Sequence, residues 1–365
     1  MAKRTPKQVK QDSDKVENVD NHKASYPEQL DLFSLPSEEN QKYNNTLELY
    51  DFMPKFYWGK QQRIKVEKPD KNDPNKQILI REMLERLERP FECRGAKYKL
   101  TLMPATITGK DGIDRDFYPG KREEVVEYAL RKLMADGHGI FLDDSASVIF
   151  TLYQLEQALI KMGHCYNKTE IKEALQICKR AALIVVTQDG NTILESSIFE
   201  TLGLQTKEDW KGTGQKTKCF VRFNALVTKS IRDKTFRRFN YEKSLSIDSV
   251  IARLLHRRMS HHFLQASLSK TYEISLLTML RDFGITRQRS LSDNIRDLEV
   301  GLKELKTKEI VLTYDIKKIL DAKRSNRLED ALITIITHQR FIAEIILHNE
   351  HRKKILGIFP PASSY

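Results

Sequence analysis

Cysteine is scarce in this 365-residue chain, and its spacing is irregular. The four cysteines are Cys93, Cys165, Cys178 and Cys219, and none of them forms a Cys-x-x-Cys pair. This pattern argues against a disulfide framework, so we expect reduced thiols in a cytoplasmic protein. No apolar run approaches the roughly 20 residues that span a bilayer, and no apolar stretch follows the basic N-terminus. We therefore expect neither a membrane span nor a secretory signal.

Motifs of the common catalytic classes are also missing. Residues 212–217 read GTGQKT, but a glutamine interrupts the Gly-Lys-Thr that a phosphate-binding loop requires. His256, His261 and His262 fall on one predicted helix, without cysteines or paired carboxylates to complete a metal set. There is no Gly-x-Ser-x-Gly elbow. We expect a protein that is not an enzyme and has no catalytic residue, cofactor or metal.

Positive charge is abundant, and it lies outside the N-terminal region. The formal net charge is +12, yet residues 1–45 carry seven basic and eight acidic residues, so the remainder carries +13. Because residues 1–45 are polar, mixed in charge and poor in aromatics, we expect a disordered tail. A basic body indicates a polyanionic partner, first nucleic acid and second an acidic membrane surface. A merely solubilising surface is the alternative.

From residue 121 the hydrophobic pattern predicts helix, strand, helix, helix and hairpin. The predicted elements are KREEVVEYALRKLMADG, SVIFTL, YQLEQALIKMG, NKTEIKEALQICKRAA and LIVVTQDGNTILESSIF. Asn167 and Glu170 have capping-box spacing at the start of the third helix. This element order is typical of a winged helix-turn-helix, whose third helix enters the DNA major groove.

The third predicted helix carries a polar stripe opposite its apolar one. Donor side chains at steps of three and four are suited to phosphates and base edges. The candidate DNA-binding residues on this helix are Lys168, Thr169, Lys172, Gln176 and Lys179. An ordinary solvated face would look the same, and the sequence does not separate these two interpretations.

The element order then repeats in the second half of the chain. Predicted helices within 248–265, 269–284 and 290–308 precede two strands, EIVLTY and ALITIIT. The candidate DNA-binding residues around the third helix are Arg287, Gln288, Arg289, Ser292, Arg296 and Lys303. The segment 315–330 between the strands reads as a long basic loop, a wing that could reach a minor groove or the backbone. Its candidate residues are Lys317, Lys318, Lys323, Arg324 and Arg327.

A third basic segment, residues 210–243, joins the halves. It holds ten basic and two acidic residues, with aromatics between them. The aromatics that matter here are Phe220, Phe223, Phe236, Phe239 and Tyr241. Basic residues with interleaved aromatics can hold single-stranded nucleic acid by stacking, which makes single-stranded DNA a second candidate ligand. The alternative, which we favour, is that these rings anchor a strand and a linker in the core.

The polar tail contains one apolar motif, QLDLF. Gln29, Leu30, Asp31, Leu32 and Phe33 resemble the motif with which bacterial replication proteins dock on the polymerase sliding clamp, namely Gln, Leu, Ser or Asp, Leu, Phe. A disordered tail can present Leu32 and Phe33 as apolar anchors, with Gln29 as the orienting polar group. The alternative is that the three apolar residues pack on the chain's own first domain.

Motif, basic body and element order together resemble the bacterial plasmid replication initiators of the RepA/TrfA type. The stretches YDFMPKFYWGK, FECRGAKYKLTLMPATI and YPGKREEVVEYALRKLM are also similar to such RepA proteins. The resemblance covers most of residues 45–320 in element order. It implies binding to iteron repeats in double-stranded origin DNA, help in melting adjacent DNA, and recruitment of the host helicase, initiator and sliding clamp. It also implies a monomer–dimer equilibrium and no membrane partner.

The expected fold is α+β and mostly helical, with two tandem winged-helix domains after a disordered tail. The expected division is a tail at 1–45, a first domain with an N-terminal extension and a basic linker at 46–243, and a second domain at 244–365. The main alternative is a winged-helix transcription regulator without a replication role, which protects one palindrome where an initiator protects several direct repeats. A nicking replication enzyme, the third class, would leave a covalent protein–DNA adduct.

Overall fold

A computed structural model describes residues 44–355, except for 47, 71–72, 74–75, 205–217, 234–235, 289 and 322–326. The motif at Gln29–Phe33 lies outside this part of the chain. The fold is α+β, as expected, with 40% helix and 34% strand. Helix therefore exceeds strand only slightly, and "mostly helical" overstates the balance. None of the helices in the described part has the length and apolar composition of a membrane span.

The strands number as follows in chain order: β1 Asn44–Thr46, β2 Ile64–Pro69, β3 Gln77–Met83, β4 Leu87–Cys93, β5 Ala96–Met103, β6 Ala105–Thr108, β7 Asp114–Phe117, β8 Gly139–Leu142, β9 Ser145–Phe150, β10 Ala182–Thr187, β11 Thr192–Ser197, β12 Phe199–Leu204, β13 Cys219–Phe223, β14 Arg237–Phe239, β15 Tyr272–Ser275, β16 Val311–Leu320 and β17 Leu328–Thr337.

The helices number in the same way: α1 Glu48–Phe52, α2 Lys121–Leu133, α3 Leu152–Lys161, α4 Lys168–Arg180, α5 Ala225–Arg232, α6 Tyr241–Leu245, α7 Val250–His262, α8 Leu276–Phe283, α9 Leu291–Thr307 and α10 Gln339–Ile355. A π-helical turn, Met134–His138, follows α2. The predicted glycine stop lies in that turn, where Gly137 has a φ of 94°.

Three four-stranded sheets surround the helices of the first half. Their strand orders are β2-β3-β7-β6, β11-β10-β5-β4 and β12-β13-β9-β8. The first of these sheets was not predicted beyond the turn at 110–114, because its strands mix Lys and Glu with Ile and remain largely exposed. The hairpin β10–β11 pairs with β5, whereas β9 pairs with β8 and β13. The strand between the first two helices is therefore in a different sheet from the hairpin.

Capping boxes mark the starts of α3 and α4, and the one at α4 is the capping box that the sequence predicts. Thr151 and Asn167 each accept a hydrogen bond from the backbone N–H three residues later, and the side chain there bonds back to complete the capping box. In α4 the predicted apolar stripe is buried, including Ile171 and Leu175. Local capping and helical periodicity thus account for where α4 begins and which side it buries.

The second half combines three helices with a three-stranded sheet. Along the chain the order is α7, β15, α8, α9, β16 and β17, and the sheet order is β15-β17-β16. Helix α8 ends at Gly284, which has the left-handed φ of 61° that glycine tolerates best. Helix α9 packs closely on α7 because Gly301 has no side chain; a Cβ there would lie 2.9 Å from Ser249 Oγ. Helix α10 follows the sheet and was not predicted.

The predicted basic loop between the last two strands is shorter than expected. Strand β16 continues to Leu320, and Lys317 and Lys318 pair in register with Leu332 and Ala331 of β17. These two lysines are therefore strand residues rather than loop residues. Between β16 and β17 the structure describes Asp321 and Arg327, whereas Lys323 and Arg324 lie outside the described residues. The end of β16 is decided by its pairing with β17, and the local sequence of β16 does not reveal that partner.

The aromatics of the basic linker are largely buried. Phe223, Phe236, Phe239 and Tyr241 are all under 7% exposed, and Phe220 is half-buried. Rings inside the core cannot stack on bases, so single-stranded DNA binding through these aromatics is wrong. They anchor β13, β14 and α6 instead, as we favoured.

The hydrophobic core consists of two large clusters. One draws on residues 50–245 and the other on residues 247–345. The ring of Trp58 packs against both clusters, and its indole Nε1 donates to the carbonyl oxygen of Phe283 at 3.2 Å. The aromatic stretch around residues 50–58 thus packs on both halves.

Two histidines of α7 are buried among aromatic rings. His256 lies against the rings of Phe239 and Phe341, and His261 lies against Phe52. Burial lowers the pKa of each imidazole to about 3. An imidazole with a lower pKa in the folded chain binds fewer protons there than in the unfolded chain. Stability therefore rises with pH between about 3 and the unfolded value of 6.5, and falls as the solution is acidified below 6.5.

The wild-type chain should lose stability between pH 7 and pH 5, and His256 should account for about 2 kcal/mol of that loss. We expect this part of the loss to be absent in His256→Leu. Urea unfolding at both pH values measures this difference. His138→Leu, at a partly exposed position, is the control and should leave the acid loss unchanged. An equal acid loss in His256→Leu and wild type would contradict a neutral, buried His256.

Candidate nucleic-acid interface

Helix α4 exposes the ridge that the sequence predicts. Lys168, Thr169 and Lys179 are exposed, whereas Lys172 and Gln176 are half-buried. The five residues lie on the side of α4 opposite its buried stripe, so the structure brings them together. The ridge offers ammonium, hydroxyl and amide groups, which are donors that phosphates and base edges accept.

The flank of α4 toward β6 is engaged within the protein. Arg180 Nη1 donates to the carbonyl oxygen of Thr106 at 2.9 Å, and Arg122 Nη1 donates to Glu173 Oε2 at 3.2 Å. Ile177 packs beside Ala105 in a small apolar cluster. These contacts hold the helix against the first sheet, so only the outer ridge is available for a ligand.

The segment before α9 is fixed by hydrogen bonds from the helix itself. Ser290 caps the helix by accepting from the N–H of Ser292. The backbone N–H of Gln288 donates to Asn294 Oδ1 at 2.9 Å, and the Gln288 side chain donates to Asp297 Oδ2 at 2.7 Å. Gln288 is therefore partly committed to the protein, Arg287 is exposed, and Arg289 lies outside the described residues.

The outer ridge of α9 is basic in its centre. Ser292, Arg296 and Lys303 are exposed, and the Arg296 side chain is 74% exposed. Arg296 Nη1 lies 3.3 Å from Asp293 Oδ1. An exposed ion pair of this kind contributes at most about 1 kcal/mol, so the guanidinium can exchange it for a phosphate or a guanine. The candidate residues of α9 thus form one accessible surface.

The other flank of α9 is acidic and holds the helix to α7. The carboxylate of Glu304 accepts from the backbone N–H groups of Asp248 and Ser249 at 2.6 and 3.0 Å. Asp297 binds the Gln288 amide. Both carboxylates have roles within the protein, which accounts for acidic residues beside a basic ridge.

Three of the five predicted wing cations lie among the described residues. Lys317, Lys318 and Arg327 are exposed, and the backbone N–H of Asp321 donates to the carbonyl oxygen of Arg327 at 2.9 Å. This bond closes the turn between β16 and β17. The lysines lie on opposite faces of β16, because successive strand residues alternate in direction.

Buried charges join the two halves, and sequence analysis did not identify them. Glu124 on α2 lies 2.9 Å from Arg253 Nη2 and 3.6 Å from Arg257 Nη2, and both arginines belong to α7. Arg257 also donates to the hydroxyl of Tyr128. We name Glu124, Tyr128, Arg253 and Arg257 the interhalf network. In α2 and α7 these residues are four positions apart and have other charged residues around them. In the sequence this pattern looks like the solvent-exposed face of a helix.

A second buried set of charges continues along α2. Arg131 lies 2.8 Å from Asp51 Oδ1 and 2.7 Å from Glu127 Oε1, and Lys55 lies 3.8 Å from Glu127 Oε2. Burial opposes ionisation of Asp51, yet Arg131 and Lys55 hold the pKa of its carboxyl below the ordinary value. Burial lowers the pKa of Lys55 to about 8 despite the carboxylates beside it.

Charges also connect β4 with α8. Asp282 accepts from Arg258 Nη1 at 2.8 Å, from Arg281 Nε at 2.7 Å and from the backbone N–H of Glu92 at 3.2 Å. Arg281 in turn lies 3.2 Å from the Glu92 carboxylate. These contacts tie the second half to the first at a place separate from the interhalf network.

The histidines of α7 do not form a metal site in the described part of the chain. Within the residues described, no group of three or more His, Cys, Asp or Glu side chains is placed to hold a metal ion. The GTGQKT segment at 212–217 lies outside the described residues. What the described surface presents is two donor-rich helix ridges and a basic hairpin.

Glu124→Gln leaves two buried guanidiniums without their counter-charge, so we expect a loss of about 3–5 kcal/mol in the free energy of unfolding. Urea unfolding at pH 7 measures it. Glu309→Gln is the matched control: it neutralises the exposed partner of Arg340 and should cost under about 1 kcal/mol. Equal, small losses in both variants would show that the arginines do not depend on Glu124.

Comparison with known proteins yields structural neighbours. No family model and no curated protein sequence matches the chain. A crystal structure of domains 2 and 3 of RctB, a selenomethionine derivative, is similar with a TM-score of 0.44 and 8% identity over 70% of this chain and 91% of that chain. A second crystal structure of RctB domains 2–3 is similar with a TM-score of 0.42 and 9% identity over 73% of this chain and 95% of that chain. The crystal structure of the Pi initiator protein in complex with iteron DNA is similar with a TM-score of 0.40 and 12% identity over 60% of this chain and 91% of that chain.

Proposed function

We propose that this chain is a plasmid replication initiator that binds iteron repeats in double-stranded origin DNA. The observation that carries the proposal is the second half, in which β15 pairs with β17 and β17 pairs with β16 behind three helices. This order is that of a winged helix-turn-helix, which inserts its third helix in the major groove. Here the third helix is α9, and Arg296 and Lys303 lie on its exposed ridge.

The first half supplies the second DNA-binding unit in this proposal. Helices α2, α3 and α4 and the hairpin β10–β11 follow the order of a winged helix, and α4 is the third helix. The unit departs from the simple form because its hairpin joins the sheet of β4 and β5. The ridge of Thr169, Lys172 and Gln176 is then the part that contacts bases and phosphates.

The protein acts by binding rather than by making bonds. Binding two or more adjacent repeats would concentrate protein beside AT-rich DNA and favour its melting. Recruitment of helicase, host initiator and clamp, and a monomer–dimer equilibrium, follow from the sequence resemblance and remain predictions. The tail motif Gln29–Phe33 is the clamp contact in this scheme.

Selection from a random 40-base-pair duplex library tests sequence-specific binding, with the full chain as bait. We expect enrichment of one sequence, and we expect Arg296→Ala to lose about 1–3 kcal/mol of discrimination against single-base changes in it. The paired variant Lys317→Ala/Arg327→Ala should instead weaken binding to all duplexes alike and lower the salt slope by about 2.

If both variants lost discrimination equally, α9 would not be the element that recognises the base sequence. Failure of the wild-type chain to enrich any sequence would overturn the proposal. A footprint on the source replicon then separates functions: several protected direct repeats support an initiator, and a single palindrome supports a transcription regulator.

A labelled peptide of residues 24–38 and the full chain should both bind the purified host sliding clamp saturably. A Gln29→Ala/Leu32→Ala/Phe33→Ala variant of each is the control and should lose binding, because it removes both apolar anchors and the orienting amide. Fluorescence anisotropy measures the titration. Unaltered binding by the triple variant, or none by either form, would assign the motif no role in clamp docking.

A further inference from the structure

The sheet of the second half has one long free edge. In the described part of the chain, β16 pairs with β17 and has no strand on its other side, whereas the opposite edge of this sheet is the four-residue β15. Strand β16 has ten residues and is, with β17, the longest strand described. An edge strand presents unpaired backbone N–H and C=O groups toward solvent, so β16 can pair with a further strand.

The middle of β16 is regular and its ends are apolar. The register of its pairing with β17 shifts between Val311 and Thr313 and again between Ile319 and Leu320, so the stretch from Thr313 to Ile319 is uninterrupted. This stretch contains neither proline nor glycine. Leu312, Ile319 and Leu320 are 44%, 41% and 51% exposed. A straight edge with exposed apolar side chains is suited to strand addition.

The charges of the regular stretch are placed symmetrically about Ile316. Asp315 precedes Ile316 and Lys317 follows it, and both charged side chains are exposed. Neither has an ion-pair partner among the residues that the structure describes. The two side chains lie on the same face of the sheet, because strand residues two positions apart point in the same direction. In an antiparallel pair of identical strands centred on Ile316, Asp315 of each copy therefore lies opposite Lys317 of the other.

Other registers of such a pair are less favourable. An axis at any charged residue of the regular stretch places two like charges directly opposite each other, which destabilises a strand pair. An axis at Tyr314 would use only Thr313–Asp315 of the regular stretch, and an axis nearer either end would use less. The register centred on Ile316 pairs opposite charges and uses the whole stretch. Charge and bulge positions thus select the same axis.

We propose that a second copy of this chain pairs antiparallel with β16 about a two-fold axis at Ile316, so that the two sheets join into one. The partner is the same chain because the edge is complementary to itself. Backbone hydrogen bonds supply the affinity, and the contacts between Asp315 and Lys317 set the register. Lysines on an edge strand commonly oppose strand addition, but in this register Lys317 meets a carboxylate.

The pairing does not depend on DNA binding, so it stands or fails separately from the proposed function. The paired surface is one strand wide, which is small for a protein interface. We therefore expect a weak, reversible association that depends on protein concentration.

Charge reversal tests the pairing in the full chain, with sedimentation velocity in the absence of DNA as the measurement. The wild-type chain should form dimers as its concentration rises through the micromolar range. Lys317→Asp places carboxylates opposite each other, and Asp315→Lys places ammonium groups opposite each other. Each variant should therefore associate with itself about tenfold more weakly than the wild type, or less still.

Two rescues distinguish this register from a general effect of charge. An equimolar mixture of Lys317→Asp and Asp315→Lys should form dimers as the wild type does, because each variant then supplies the charge that the other requires. The double variant Asp315→Lys/Lys317→Asp should regain association with itself for the same reason.

Lys110→Asp is the matched control, with the same change in net charge as Lys317→Asp at an exposed turn position of the first half. It should associate as the wild type does. A wild-type chain that stays monomeric throughout would overturn the proposal. Self-association that neither single variant weakens would overturn it too, because the contact would then lie on another surface. Weakened association that neither the mixture nor the double variant restores would exclude this register.

Discussion

The carboxylate of Glu124 holds the two halves of this protein in one arrangement. It is 1% exposed and lies between the guanidiniums of Arg253 and Arg257, which come from the other half. Removing three charges from water is costly, so such a network adds little net stability over well-packed apolar residues. Its geometry is nevertheless demanding, because a shifted α7 would leave a buried charge unpaired. The network therefore selects the orientation of the halves.

The relative orientation of the α4 and α9 ridges follows from this contact. Helix α4 packs on α2, α2 contacts α7 through the interhalf network, and α7 packs on α9 at Gly301. The first and last steps are packed helix pairs and the middle step is the ion-pair contact at Glu124, so a shift there would change the position of one ridge relative to the other. Trp58 also joins the two halves, because its ring packs on both cores. If the chain binds DNA as we propose, the spacing of its bound sites is set inside the protein.

The elements that sequence predicted well are those with strong local signals. Asn167 and Glu170 mark the start of α4, Ser290 marks the start of α9, and apolar residues at helical spacing identify the buried sides of both. The predicted ridges are consequently on the surface. These signals are carried within a few residues of each other.

What sequence did not predict depends on distant partners. Trp58 and Phe283 are 225 positions apart, and nothing local connects them. Lys317 and Lys318 looked like loop residues because the register that places them in β16 comes from β17. The sequence does not reveal that Glu124 and Arg131 are buried, because charged residues recur at the same helical spacing whether they are buried or exposed. The strands β2 and β3 mix Lys, Arg and Glu with their apolar residues and remain largely exposed, so no buried face marks them in the sequence.

A hydroxyl-radical footprint of the full chain on its selected duplex tests the central claim most directly. If the interhalf network holds α4 and α9 in one fixed arrangement, two protected tracts should appear on one face of the duplex. Their centres should lie about one helical turn apart, roughly 10 base pairs. A single tract, or two tracts whose separation varies from site to site, would contradict the claim that the buried contact sets the spacing.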